Sequence, residues 1–261
     1  MKNILKITFQ LIIVTMFIGC TNQTDKAGVM VLVDLQSKPD QVSNMKSFLA
    51  VLFGITISLW VEGWRENRDI QIKIVEDYTN IKEEVEIDIK NIENIILSIE
   101  EQINSLKKLI QYNEQKIDFN DSDVINNLKK ITAPTFFGTQ TAYNTSVSSG
   151  RLNFSKDMSV SNEISLLYEH FYKRLDSNSQ LYDLRNTKLK SDYFMEFFQV
   201  TVGNHEINDS IKSVFFSTKT RNALYWVLDF VENFYISRLK DTRNQMLKTE
   251  QLISEFLQEQ I

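Results

Sequence analysis

The sequence contains very little glycine and proline. Its 261 residues include seven Gly and two Pro, where average usage would give about thirty. So few turn-forming residues cannot build a β-sandwich, a barrel or a propeller, because those folds need frequent turns. Neither G-x-G-x-x-G nor G-x-x-x-x-G-K-[ST] occurs in the chain. Nucleotide enzymes that depend on those phosphate-binding loops are therefore excluded.

Cysteine, histidine and net positive charge are also scarce. The single cysteine, Cys20, excludes an internal disulfide and a Cys-cluster zinc site. The two histidines, His170 and His205, lack the His-x-x-x-His spacing of a helical metal site. A net charge of −5 gives no general attraction to nucleic acid. We therefore predict no catalytic residue, no cofactor, no metal ligand and no nucleic-acid partner, and an enzyme is the less favoured class.

Residues 1–20 have the layout of a bacterial signal peptide. Lys2 and Lys6 precede an apolar run that ends at Ile18, and Gly19 and Cys20 follow. The run is about a dozen residues, which is too short to cross a hydrocarbon core comfortably. Its end resembles a lipobox, so we predict lipidation at Cys20. The alternative is a structural cysteine buried in an apolar anchor.

A second apolar stretch lies within residues 45–64, after a mixed segment at 21–44 that we interpret as a tether. From Phe48 to Trp64 no charge occurs before Glu62. Seventeen helical residues reach roughly 26 Å, the lower limit for a membrane span. We predict a transmembrane or membrane-associated helix with membrane lipid as its partner, the alternative being a buried helix of a soluble core. The predicted membrane-interface residues are Trp60, Trp64, Arg65 and Arg68.

Residues 65–117 follow the period of one long amphipathic helix. Apolar residues recur at a mean spacing of about 3.6, and charged residues fill the intervening positions, where we expect a solvated face. The apolar positions are Ile74, Tyr78, Ile81, Val85, Ile89, Ile92, Ile96, Ile99, Ile103, Leu106 and Ile110. This stripe is typical of a stalk that pairs with another helix, as in a coiled coil. A homo-oligomer or another protein partner through the stalk is therefore possible.

Residues 118–261 predict a helical bundle region. The run at 118–123 supplies turn residues and a helix cap before Val124, and 132–154 forms a second break. Helical spacing returns in three later stretches, at 161–189, 190–202 and 220–260. Arg151, after the polar run Ser146–Gly150, is either an anion ligand or part of a helix-capping turn. The fold class is all-α, with a membrane-anchoring helix that continues into the stalk and packs in a bundle with the C-terminal helices.

Three segments carry a resemblance to a known family. They are GITISLWVEGWRENRD at 54–69, AYNTSVSSGRL at 142–152 and the aromatic pair Phe171–Tyr172. Together they resemble an uncharacterised family of bacterial membrane proteins, common in Bacteroidota. In that family an apolar helix ends in a Trp-x-Glu-x-Arg-like run and a long charged helix follows. The similarity extends from about Phe48 to the C-terminus and implies no activity, and the lipoprotein-like leader departs from the family.

Two hypotheses for the function remain. A membrane-anchored structural or interaction protein would expose the apolar stripe of its stalk. A ligand-binding sensor or unrecognised enzyme would need a pocket in the C-terminal half, near His170, His205 or Arg151. Three arrangements determine on which side of the membrane the helical body after Trp64 lies. A chain that is lipidated at Cys20 and spans with its second apolar stretch has this body in the cytoplasm. A chain that starts at Met45, or a lipidated chain whose second stretch does not span, has it outside, and we expect the extracytoplasmic side.

Overall fold

The computed structural model describes residues 39–154, 158–197, 202 and 206–260, without the side chains of 39–46 and 196. Helices account for most of these residues, which include no β-strand, and the predicted all-α class is confirmed. The α-helices are α1 (Pro39–Asn113), α2 (Asp121–Lys129), α3 (Thr141–Ser148), α4 (Met158–Leu166), α5 (Lys173–Tyr193), α6 (Asp209–Phe215), α7 (Thr218–Phe230) and α8 (Ile236–Gln258). Two π-helical turns occur at Leu167–Tyr172 and Val231–Tyr235, and 3₁₀ turns at Arg151–Phe154 and Met195–Phe197.

Helix α1 starts earlier and ends earlier than the sequence pattern suggests. It begins at Pro39, inside the segment 21–44 that we interpreted as a tether. The helix ends at Asn113, before position 117, because Gln115 adopts a left-handed φ of 56° that a helix cannot continue through.

The chain divides into two units, residues 1–61 and 62–261. In the first unit, the described residues all belong to α1, and the side chains from 47 to 61 are exposed apart from a partly exposed Leu49. The second unit holds the bundle. Its apolar core extends from Ile74 to Phe256 along the chain.

Three long helices form the frame of the second unit. The first is the C-terminal part of α1. The second comprises α4, the first π turn and α5, and the third comprises α7, the second π turn and α8. Hydrogen bonds from Tyr172 to Asp88 and from Tyr182 to Gln102 show that the second helix runs parallel to α1. Ion pairs join Glu93 to Arg243, Glu100 to Lys240 and Lys107 to Glu232, so the third helix runs antiparallel to α1.

The apolar stripe of α1 is buried by the chain's own helices. Ile74, Tyr78, Ile92 and Ile99 are at most 1% exposed, and Tyr78 packs on Phe256 at 5.0 Å between ring centroids. Burial of such side chains contributes about 1.5–3 kcal/mol each. The stripe that we expected a stalk to expose is therefore covered within the monomer. The homo-oligomer or partner through the stalk stays a prediction that needs another surface.

Several charged residues of α1 do not simply face solvent as we expected. Glu93, Glu100 and Lys107 bond oppositely charged side chains of the third helix. Such partly exposed pairs contribute at most about 1 kcal/mol each. The main effect of these pairs is therefore to set the register between α1 and the third helix, and they add little to the stability of the bundle.

Candidate functional site

The predicted membrane-interface residues lie on the surface of α1. Trp60 is 55% exposed and Trp64 is 52% exposed. Arg65 and Arg68 are exposed as well, and the Arg68 guanidinium lies 5.9 Å from the centroid of the Trp64 ring. The predicted lipidation site, Cys20, lies outside the described residues.

A second candidate site lies where the chain returns along α1. We call residues 130–151 the return segment. It contacts α1 at successively earlier positions, with Lys130 on Glu101, Thr139 on Asp88, Ala142 on Glu84 and Arg151 on Asp77. We call Asp77, Glu84 and Asp88 the carboxylate row. Each of the three holds a different part of the return segment against α1.

Asp77 binds Arg151 at the end of the return segment. The guanidinium donates from Nε at 2.7 Å and from Nη2 at 2.8 Å to the two carboxylate oxygens. Asp77 is 6% exposed, so this two-bond pair is largely shielded from water. Arg151 is therefore engaged within the fold, and the hypothesis that it waits for an anionic ligand is wrong.

Glu84 caps helix α3 from outside that helix. The residue at the start of α3, Gln140, makes no side-chain cap bond. Instead the Ala142 N–H donates to the two Glu84 oxygens at 3.0 and 3.2 Å. Burial raises the pKa of Glu84, and the bond from Ala142 opposes that rise. At the other end α3 stops at Gly150, whose φ of 73° favours glycine.

Asp88 is the most buried member of the carboxylate row, at 2% exposure. Its Oδ2 accepts the Tyr172 hydroxyl and the Thr139 N–H, both at 2.8 Å, and Oδ1 accepts the Thr139 hydroxyl at 3.1 Å. Burial raises the pKa of Asp88 despite these donors. Gly138 lets Tyr172 approach, because a Cβ there would lie 2.3 Å from the Tyr172 ring.

A cluster of tyrosines surrounds the carboxylate row. Tyr143 of α3 stacks on Tyr168 of the first π turn at 4.3 Å, and its hydroxyl donates to Glu169 at 3.0 Å. Burial, followed by this bond, raises the pKa of Tyr143 to about 12. The Tyr168 hydroxyl and the Ser146 hydroxyl are buried with no hydrogen-bond partner among the described residues. Ser146 thus belongs to the packed interior, and not to an exposed polar loop.

The carboxylate row anchors other parts of the chain to α1. Its oxygens accept hydrogen bonds from backbone N–H groups, from the Thr139 and Tyr172 hydroxyls and from the Arg151 guanidinium. Within the described residues no three His, Cys, Asp or Glu side chains are placed to hold a metal ion. His170 is exposed on the first π turn, and His205 lies outside the described residues.

The sequence analysis missed the carboxylate row. Asp77 and Asp88 are three residues after Ile74 and Val85, at the flank of the buried stripe. A position there faces the bundle, whereas a position on the opposite side of the helix faces water. An acid at the flank is therefore a detectable signal, but the sequence does not reveal which donors meet it.

Comparison with known proteins identifies a family. A family model described as "Family of unknown function (DUF6090)" matches residues 47–221. The match begins just before the apolar segment of α1 and includes the carboxylate row and the return segment. The chain belongs to this family. Neither a curated protein nor a solved structure matches it.

Proposed function

We propose that this family member is a membrane-anchored helical protein, in which the apolar segment of α1 crosses the membrane and the bundle has a structural or protein-interaction role. The bundle would be attached to the membrane through α1. The proposal concerns a scaffold and not a reaction, because the contacts of the carboxylate row join the return segment and the first π turn to α1.

The observation that supports the anchor is the exposure of the apolar segment on every side. Within α1, an 18-residue window has a mean hydropathy of 1.5 with no residue buried, and this helix alone among the described ones passes a length and composition test for a span. Exposed residues include Phe48, Phe53, Ile57 and Leu59. Large uninterrupted apolar surfaces in water cause association, so such a segment fits lipid.

Two isoleucines of equal exposure provide the test. Ile57 in the apolar segment is 58% exposed, and Ile72 in the amphipathic part is 57% exposed. We expect Ile57→Arg to release a large share of the protein from membranes washed at alkaline pH, because an arginine near a span centre costs roughly 2.5–3.5 kcal/mol. The matched Ile72→Arg protein should stay in the membrane pellet. Equal behaviour of the two variants would contradict the span.

The side of the membrane and the lipid at Cys20 are linked, because a lipidated chain whose α1 spans the membrane would have its bundle in the cytoplasm. With α1 as a span, we place the bundle on the extracytoplasmic side, as for a chain that starts at Met45. Protease added to intact spheroplasts should then digest the bundle, and protection until lysis would reverse the assignment. Lipidation at Cys20 requires instead that α1 does not span or that the bundle is cytoplasmic. A fatty-acid analogue that labels the wild type but not Cys20→Ser would support that arrangement, and equal labelling of both proteins would refute lipidation.

An interaction role requires a surface other than the buried stripe. Cross-linking of the native protein in its membrane should yield a defined larger species if the bundle binds a second copy or another protein. Only monomer at all cross-linker lengths would instead favour the alternative of a ligand-binding sensor. A groove in the C-terminal half supports that alternative.

A further inference from the structure

A groove lies between the second and third long helices, on a face separate from the carboxylate row. Its volume is about 440 Å³. His170, Arg174 and Leu175 form one wall, and Arg238, Thr242 and Gln245 are among the residues of the other wall on α8. Leu175, Thr242 and Gln245 are buried and form the floor. The groove is thus a cleft with charged side chains on its walls and buried side chains at its base.

Both walls of the groove start at π-helical turns. His170 and Phe171 belong to the first π turn, and Arg238 follows the second π turn by three residues. A π turn is rare because it widens the helix and weakens its packing, and proteins that keep one often use it at a functional site. Two such turns beside one cleft make this cleft the strongest candidate for a binding site in the bundle.

The charges of the groove are predominantly positive. Arg174, Arg238 and Lys248 line it together with one acid, Asp241. With His170 counted as neutral, the sum is 3 − 1 = +2, whereas the whole chain carries −5. The groove therefore opposes the charge of the rest of the molecule and concentrates anions locally.

The cations of the groove differ in whether they already have an ion-pair partner. Arg238 Nη1 lies 3.5 Å from Asp241 Oδ2, and Lys248 Nζ lies 2.7 Å from Glu163 Oε1. The Arg174 side chain has no hydrogen-bond or ion-pair partner in the part of the chain that the structure describes. It lies one helical turn after His170 on the same wall, so both side chains are available on one side of the cleft.

We propose that this groove binds an oxyanion, of the phosphate or carboxylate class, with Arg174 as its main ligand. The planar guanidinium offers two parallel N–H donors that match such a group. His170 adds a further ring donor and the Thr242 hydroxyl lines the floor, whereas the Gln245 amide already donates to Glu163 and Thr249. Arg238 supplies positive charge at the rim. The binding of the anion does not depend on the membrane anchor, whereas the comparison of its sources below rests on the proposed span.

The anion has two possible sources, a soluble molecule or a lipid headgroup. Glu93 pairs with Arg243, close to the groove in the α8 sequence, and lies 29 residues after Trp64. That separation corresponds to roughly 44 Å along a helix. Headgroups at the level of Trp64 would be beyond the reach of the groove, so a soluble oxyanion and a lipid of another membrane are the sources to compare.

The test uses the full-length protein in phosphatidylcholine nanodiscs. Sodium phosphate and sodium succinate are titrated by calorimetry at constant ionic strength, and phosphatidylglycerol vesicles are tested by co-flotation. We expect saturable binding of at least one probe, weakened at least tenfold by Arg174→Ala. Binding to the vesicles alone assigns the lipid source, and binding to a salt assigns the soluble one.

The control is Lys188→Ala, an exposed cation on the same helix α5 but outside the groove. Because Arg174 and Lys188 are both exposed, neither change should alter the circular dichroism of the bundle. Lys188→Ala should bind like the wild type. Loss of binding in both variants, or no saturable binding of any probe by the wild type, would overturn the proposal.

Discussion

Helix α1 contains two apolar regions that differ in how the apolar residues are distributed. From 47 to 61 they surround the helix and remain exposed, whereas from Ile74 to Ile110 they form one stripe that the bundle buries. The angular distribution of apolar residues, more than their number, thus distinguishes the exposed region of the helix from the region that the bundle buries.

The largest expected effect comes from placing an arginine in the buried stripe. Ile92 is 0% exposed. We expect Ile92→Arg to unfold the bundle, because an unpaired charge in an apolar core costs more than about 4–5 kcal/mol. Thermal melts followed by circular dichroism in detergent would measure this. Ile57→Arg should leave the melting temperature within error, and a parallel drop in both variants would end the distinction between the two regions.

Asp88 tests the anchoring of the return segment. We expect Asp88→Ala to cost roughly 2–4 kcal/mol, because the Tyr172 hydroxyl and the Thr139 N–H lose their buried acceptor. Asp88→Asn should cost much less, since its amide oxygen accepts both donors and its NH₂ donates to the Thr139 hydroxyl. Urea unfolding would rank the two variants. Equal losses would show that the charge of Asp88, and not its acceptor oxygens, holds the segment.

Two glycines test the difference between the bundle and the apolar segment with a smaller expected effect. Gly138 faces Tyr172, whereas a Cβ added at Gly54 of α1 would meet nothing within 4 Å. We expect Gly138→Ala to destabilise the bundle by about 1–3 kcal/mol through overpacking. Gly54→Ala should leave the bundle unchanged. The urea midpoints of the two variants, measured in one detergent, check this, and a neutral Gly138→Ala would mean that Tyr172 can move freely.

The smallest effect is the pH dependence of Asp88. Its pKa is raised above the ordinary value of 3.8 by burial, so the folded state disfavours the ionised form. The wild type should therefore gain stability relative to Asp88→Asn as pH falls from 7 through the raised pKa towards 3.8. Melting temperatures of both proteins across this range give the difference directly. A constant difference would show that Asp88 does not change its protonation state in that window.

The contribution of Asp123 to stability changes with pH in the opposite direction to that of Asp88. The Lys108 ammonium and then the Tyr112 hydroxyl lower the pKa of Asp123 by bonding its ionised form. Its stabilising contribution is present at neutral pH and is lost as pH falls below its ordinary value of 3.8. The wild type and Asp88→Asn share this loss, so it cancels in their difference.

The sequence was sufficient to predict the long helices but not the contacts between them. The 3.6 spacing predicted the amphipathic part of α1 and the helical stretches at 161–189 and 220–260, whereas α3 lies inside the predicted break at 132–154 and α6 lies in none of the predicted stretches. Asn120 caps α2 by accepting the Asp123 N–H, as the turn run suggested. The return path of residues 130–151 was not predictable, because hydrogen bonds such as that from Thr139 to Asp88 join residues 51 positions apart. The π turns were equally hidden, since they keep a nearly helical pattern of apolar residues.

The central claim is that one helix passes from lipid into a protein core, and spin-label accessibility tests it most directly. Single cysteines at consecutive positions from 49 to 59, and at 72 and 87, are introduced into Cys20→Ser protein and reconstituted in liposomes. From 49 to 59 we predict uniformly high access to oxygen and poor access to a water-soluble nickel complex. At 72 and 87 we predict good access to the nickel complex and lower access to oxygen. Nickel access that rises and falls every three to four residues between 49 and 59 would contradict a span.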